Sequence, residues 1–285
     1  MKLSRFASTA TQLVMSLICG TVHAADPQQK STAAATELPA VEARALRDPV
    51  EKSYRKIVRG MDLFEQRHSL APNAPLRFKL LPRRRDTDMR NIELAVVSDN
   101  VTIPVPVAAD NTFALERSQR ALDEDALVIP DRKTRSMTWR TDIRTPGLPP
   151  DTRRLGDLRL ECLVGIEADL VSDPSFIGRL VRARGYCDQR EVSYLFFADR
   201  PLWSVTLIAG SRRVVLPIDQ LYAGISRNPM TRSELDSCDC EILIDRTYYA
   251  PLGDRSWPDD TLIYLEYMDD SVASAASSLP NGRSR

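Results

Sequence analysis

The chain has 285 residues, 43% hydrophobic and 27% charged, and its 39 basic side chains are balanced by 39 acidic ones. That profile excludes a collagen-like fibre, a wholly disordered chain and a multi-span membrane protein, and the cancelled charge offers no field to draw in nucleic acid. Two histidines, His23 and His68, are the whole imidazole supply, so chemistry built on a histidine base or several histidine ligands has little to work with.

Residues 1–24 read as an export signal. Lys2 and Arg5 form a positive n-region, Leu13–Cys19 a short apolar core, and Val22-His23-Ala24 a small-residue cleavage site. The apolar core falls far short of the roughly 20 residues that a spanning helix needs. Cys19 would anchor a lipoprotein, but bulky Ile18 sits where such a site wants a small residue. Cleavage would remove Lys2, Arg5 and no acid, taking 39 basic groups to 37 against 39 acids, a net charge of −2. The mature chain is expected in the periplasm, with no transmembrane segment. Its four cysteines, Cys162, Cys187, Cys238 and Cys240, are an even number in an oxidising compartment, where disulfides are the expectation.

Residues 25–47, rich in Ala, Gln, Thr and Pro, read as a linker. A first module spans 48–150. Asp48-Pro49-Val50-Glu51 supplies an N-cap, a proline at the first helical position and a glutamate three residues after the cap. Val50, Tyr54, Ile57, Val58, Met61 and Phe64 follow at spacings of three and four, predicting an amphipathic helix to about His68 that Pro72 and Pro75 block. Gly60 weakens it. The period then becomes two. Strands are predicted at Leu76–Leu80, Ile92–Val97, Val101–Val105, Phe113–Leu115, Leu127–Ile129 and Met137–Trp139, with Asp99-Asn100 as a hairpin turn. Pro104 and Pro106 put the return strand at a sheet edge, because proline cannot donate to a ladder.

Thr145-Pro146-Gly147-Leu148-Pro149-Pro150 marks a boundary. The second module, 151–270, is predicted to hold strands at Leu158–Val164, Val192–Ala198, Trp203–Ala209, Val214–Ile218, Glu241–Asp245 and Thr261–Tyr267. A short helix is placed around Ile166–Val171 and a turn at Gly210-Ser211. Residues 271–285 read as a disordered tail. The expected fold is mainly β: two antiparallel β-sandwich-like modules preceded by one amphipathic helix. Ile103-Pro104-Val105 and Leu216-Pro217-Ile218 each follow an apolar run and a tight turn. A tandem duplication would produce this echo, and so would chance.

The candidate chemistry is sparse. His68, beside Arg67 at a helix end, is placed to favour the helix dipole rather than to act as a base. No glycine-rich phosphate loop is present, and no catalytic residue, cofactor or metal site is expected. Cys238 and Cys240, two apart on a strand, would point to one face, so each is expected to bond Cys162 or Cys187 and staple the second module. Arg83, Arg84 and Arg85 are candidate anion binders, although Asp86 and Asp88 interrupt the run as in a solvated loop. Trp203, Trp257, Asp259 and Asp260 are candidate ligand-binding residues, since acids beside exposed aromatics suit a glycan. The expectation is a non-catalytic exported module that binds an envelope protein. The alternative is a glycan-binding or carboxylate-dependent glycan-cleaving protein using the second module.

Overall fold

The computed structural model describes residues 51–133, 135–170, 185–190, 194–225 and 242–269. The predicted export signal, linker and tail, together with Cys238 and Cys240, lie outside the described residues.

Ser53 opens the first helix. Its hydroxyl accepts from the Lys56 N–H at 3.4 Å and caps α1, Tyr54–Arg67. The helix therefore begins well after the Asp48 cap predicted for it. Glu51 lies outside it, and Lys52–Ser53 form a short strand, β1, that is drawn into a sheet instead. Tyr54, Ile57 and Val58 of α1 are buried. Its C-terminal neighbour His68 packs on Phe64 with ring centroids 4.7 Å apart and sets Nε2 3.1 Å from the Ala74 carbonyl, so this imidazole has a structural place.

Six strands and a short helix follow: β2 Leu76–Pro82, β3 Leu94–Val97, β4 Thr102–Val105, β5 Thr112–Phe113, α2 Gln119–Asp123, β6 Leu127–Pro130 and β7 Met137–Ile143. The remainder comprises β8 Thr152–Arg154, α3 Leu155–Glu167, β9 Leu195–Phe197, β10 Leu202–Ala209, β11 Arg212–Val215, β12 Thr247–Tyr249 and β13 Leu262–Tyr267. The fold is mainly β, and every pairing among the described residues is antiparallel.

Two expectations fail here. The strand predicted at Leu158–Val164 is the middle of α3, so the chain has a second long helix. The described part of the segment predicted as Glu241–Asp245 is a turn that runs into a 3-10 element, Ile244–Arg246, and the strand, β12, follows it. Alternation at Leu158, Leu160, Cys162 and Val164 imitates a strand because α3 is buried on both sides. Leu155, Leu158 and Cys162 belong to one apolar core, whereas Leu160 and Val164 belong to another with Ala71, Ala74 and Ile143. A helix inserted between two cores has no polar face to reveal its period.

The strand order repeats. In the first half a four-stranded sheet runs β4-β3-β6-β1, α1 follows β1, and β2 pairs with β5. In the second half the sheet runs β11-β10-β13-β8, α3 follows β8, and β9 pairs with β12. The same connectivity thus occurs twice, with β7 added to β2 in the first half. Counted from the two hairpin turns, Val105-Pro106-Val107 matches Leu216-Pro217-Ile218, which moves the sequence echo by two residues. Val105 and Leu216 are both buried.

Each half has its own apolar core. In the first, Phe78 stacks on Phe113 at 5.6 Å, and Phe113 meets the edge of Trp139 at 5.6 Å. In the second, Phe196 lies between Tyr194 and Tyr248, at 4.9 and 5.6 Å. The two long helices touch where Gly60 faces α3 and its end. A Cβ on Gly60 would stand 2.8 Å from the Ala168 Cβ and 3.2 Å from the Val164 carbonyl. The residue that weakens α1 as a helix is the one that lets it approach α3.

Candidate functional site

Where the two halves meet, β2, β7, β8, α3 and β9 border a small cleft that opens to solvent. Lys79, Arg140, Asp142, Arg144, Arg153 and Glu161 line it, with Tyr194, Phe196 and Phe197 as an aromatic wall. Its charges are largely consumed by one another. Asp199 receives Lys79 at 2.7 Å and Arg144 at 2.8 and 3.1 Å, while Arg144 also holds Asp142 at 2.8 Å. Deeper in, Arg153 meets Glu161 at 2.6 Å, and the Ile143 N–H donates to the same carboxylate oxygen at 2.7 Å. The Arg140 guanidinium lies over Phe197, 4.9 Å from the ring centroid.

Burial and partners divide these groups. Burial pushes Asp199 upward, but hydrogen bonds and charge from Arg144 and Lys79 overcome it and hold the carboxyl well below its ordinary range. At Glu161 burial wins over Arg153 and the Ile143 N–H, helped by the like charge of Asp142, and raises the carboxyl to about 7. Burial is the largest single influence on Arg153 and opposes its charge, but Glu161, Tyr248 and Asp142 together overcome it and keep the guanidinium a cation. Burial also raises Tyr194 to about 12, so its phenol stays protonated. The Arg153 Nε and the Tyr248 hydroxyl, both buried, find no hydrogen-bond partner among the described residues. The enclosed part has room for one water. With Lys79, Arg144 and Arg153 matched by acids, the cleft acts as an ion-pair clamp between the halves.

The predicted site residues are scattered. Cys162 bonds Cys187, tying α3 to the turn at Tyr186–Asp188; the expectation that each would instead bond Cys238 or Cys240 is corrected, because α3 carries Cys162 directly to its partner. Arg84 and Arg85 are exposed in the turn after β2, whereas Arg83 is half-buried and its N–H donates to the Ser136 carbonyl at 2.9 Å. Trp257 is only 4% exposed, and the Arg212 guanidinium covers its ring at 3.4 Å, leaving no indole face for a ligand. Asp259 is held by Arg159 at 2.5 Å, and the same guanidinium donates to the carbonyls of Leu252, Asp254 and Trp257. Asp260 is exposed in that turn. The carboxylate of this pair that faces the core is a strut of the loop.

Trp203 differs from all of these. The register between β10 and β13 shifts between Leu202↔Tyr267 and Ser204↔Glu266, so Trp203 is the extra residue of a β-bulge, a device that re-aims a side chain. Its indole is 59% exposed. On the same sheet Tyr264 and Val215 are exposed, Ile208 and Leu262 are half-buried, and Thr206 lies between Val215 and Tyr264 in register. Ser204 donates to Glu266 at 2.7 Å. Alternation along β10 and β13 foreshadows an outer face. It does not reveal that this face keeps its large apolar side chains in water, nor that Arg153 and Glu161 meet, since the latter requires α3 to be a helix.

Scans against protein-family models, curated proteins and solved structures find no match for this chain. Among the described residues no helix is long and apolar enough to cross a membrane.

Proposed function

We propose that the chain is an exported, non-catalytic binding module whose recognition surface is the outer face of the β11-β10-β13-β8 sheet, and that its partner is another envelope protein. The observation that carries this reading is the exposed Trp203 indole on its bulge, with Tyr264 and Val215 exposed on the same sheet. Indole and phenol surface left in water is costly unless a partner covers it, and aromatic side chains of this kind anchor protein interfaces. A protein partner suits the face better than a glycan. Sugar hydroxyls need unengaged polar partners, and the Ser204 hydroxyl is already committed to Glu266. The acid–aromatic pair considered for glycan cleavage is taken up by packing, through Arg212 on Trp257 and Arg159 on Asp259.

A photo-crosslinking amino acid at position 203, expressed in the native cells, tests the reading. One discrete protein adduct is expected, and Tyr264→Lys should abolish it while leaving the melting temperature unchanged. No adduct, or an adduct that disappears on glycosidase digestion, overturns the proposal.

A further inference from the structure

Residues of an antiparallel strand alternately turn their N–H and C=O groups toward one neighbour and away from it. The Leu216 N–H donates to the Val205 carbonyl at 2.8 Å, and this sets the phase of β11. With Thr206↔Val215, Leu207↔Val214, Ile208↔Arg213 and Ala209↔Arg212 in register, Arg212, Val214 and Leu216 bond β10. Arg213 and Val215 present their backbone groups to the open edge, where all four residues of β11 are exposed. The matching strand of the first half has the same phase, because the Ser98 N–H donates to the Val101 carbonyl at 2.8 Å and Ala95 stands opposite Pro104. There the outward position is Pro104, whose ring removes the donor and blunts the edge. Val215 occupies the equivalent place and keeps its donor, so one of two equivalent edges is blunted while the other, among the described residues, pairs with no further strand.

We propose that the open β11 edge pairs with β11 of a second copy of this chain, antiparallel and centred on Val214. The edge is complementary to itself. Because the outward residues flank Val214, Arg213 falls opposite Val215 of the second copy and Val215 opposite its Arg213, and each such pair exchanges two hydrogen bonds. Every outward backbone group of both strands is then satisfied. The register also sets each Arg213 guanidinium against a valine rather than against its own counterpart, which avoids the like-charge opposition that destabilises cross-strand pairs. Val214 and Val215, 41% and 59% exposed, gain apolar neighbours. The two four-stranded sheets become one of eight strands, with a Trp203 on each half. The contact is short, so the dissociation constant is expected in the micromolar range.

Sedimentation of the mature chain between about 1 and 100 µM tests this, and the weight-average mass should rise toward twofold over that range. Val215→Pro should hold the mass at that of one chain, and so should Val215→Lys, which keeps the backbone donor but opposes a lysine to Arg213. Combining Val215→Lys with Arg213→Glu sets opposite charges across the pairing and should restore the dimer. The proposal is overturned by a mass that does not depend on concentration, by dimerisation of Val215→Pro or Val215→Lys as strong as that of the native chain, or by a double variant that stays monomeric. Trp203→Ala should leave the mass unchanged, so the dimer and the partner-binding face fail or survive separately.

Discussion

Glu161 ties the stability of this protein to pH in a direction opposite to that of most carboxylates. Its side chain is 5% exposed, against Arg153 at 6%, and burial raises it from the ordinary 4.5 to about 7. Between those values the folded chain keeps a proton that the unfolded chain has released. The folded state then binds more protons, so stability falls as pH rises. The contribution is complete below about pH 4.5 and gone above about 7. At about 1.4 kcal/mol for each pH unit spanned, it amounts to about 3 kcal/mol. Asp199 acts with the other sign at lower pH, because Arg144 and Lys79 favour its charged form. The measurement is therefore a difference between the native chain and Glu161→Gln, which retains volume and an acceptor for the Ile143 N–H. Urea unfolding at pH 4.5, 5.5, 6.5 and 7.5 should show the two chains nearly equal at the acid end and the glutamine variant ahead by about 3 kcal/mol at the other. A constant gap, or a variant that loses ground as pH rises, would refute the reasoning, since the first means that the attraction of Arg153 balances burial and the second that it outweighs it.

Two further outcomes follow from packing. Gly60→Ala should lower the melting temperature, because a Cβ 2.8 Å from the Ala168 Cβ overpacks the helix contact by about 1–3 kcal/mol, more than the roughly 1 kcal/mol gained in helix propensity; Ala168→Gly in the same chain should recover the loss, and a Gly60→Ala chain as stable as the native one would dismiss the close approach. Replacing Cys162 and Cys187, which close a loop of 25 residues, with alanine should shift the denaturation midpoint by about 3 kcal/mol in equivalent stability, with the native chain moving as far in reductant. A midpoint insensitive to both changes would show that the cross-link constrains nothing the unfolded chain was free to explore.

Much of the first half was legible because strands such as β3 have one wet and one dry face. Leu94 and Val96 are buried while Ala95 and Val97 are partly exposed, and Asp99-Asn100 is the turn expected between β3 and β4. The start of α1 was misplaced because Asp48-Pro49 carries a strong local capping signal, whereas the pairing of Lys52 with Val128, which claims the residues before Ser53, joins positions far apart in the chain. α3 was misread for the reason already met: ten of its 13 residues are buried, so apolar side chains occur all round it and their alternation imitates a strand in place of a helical period. Trp203 and Trp257 could not be separated by composition. A register shift exposes one, and an arginine from another strand covers the other.

Local chemistry along the chain was enough to determine that the fold would be mainly β and antiparallel, where its hairpins turn, and that it commands almost no imidazole. Such properties reside in neighbouring residues and need no partner distant in sequence. The tertiary structure alone decided that the same connectivity occurs twice, that Arg153 and Glu161 meet in the junction between the halves, that Cys162 finds Cys187, and that the outward position of the edge strand is a proline in β4 and a valine in β11. Each of these is a relation between residues brought together by the burial of apolar faces, and no local pattern encodes which faces will be buried against each other.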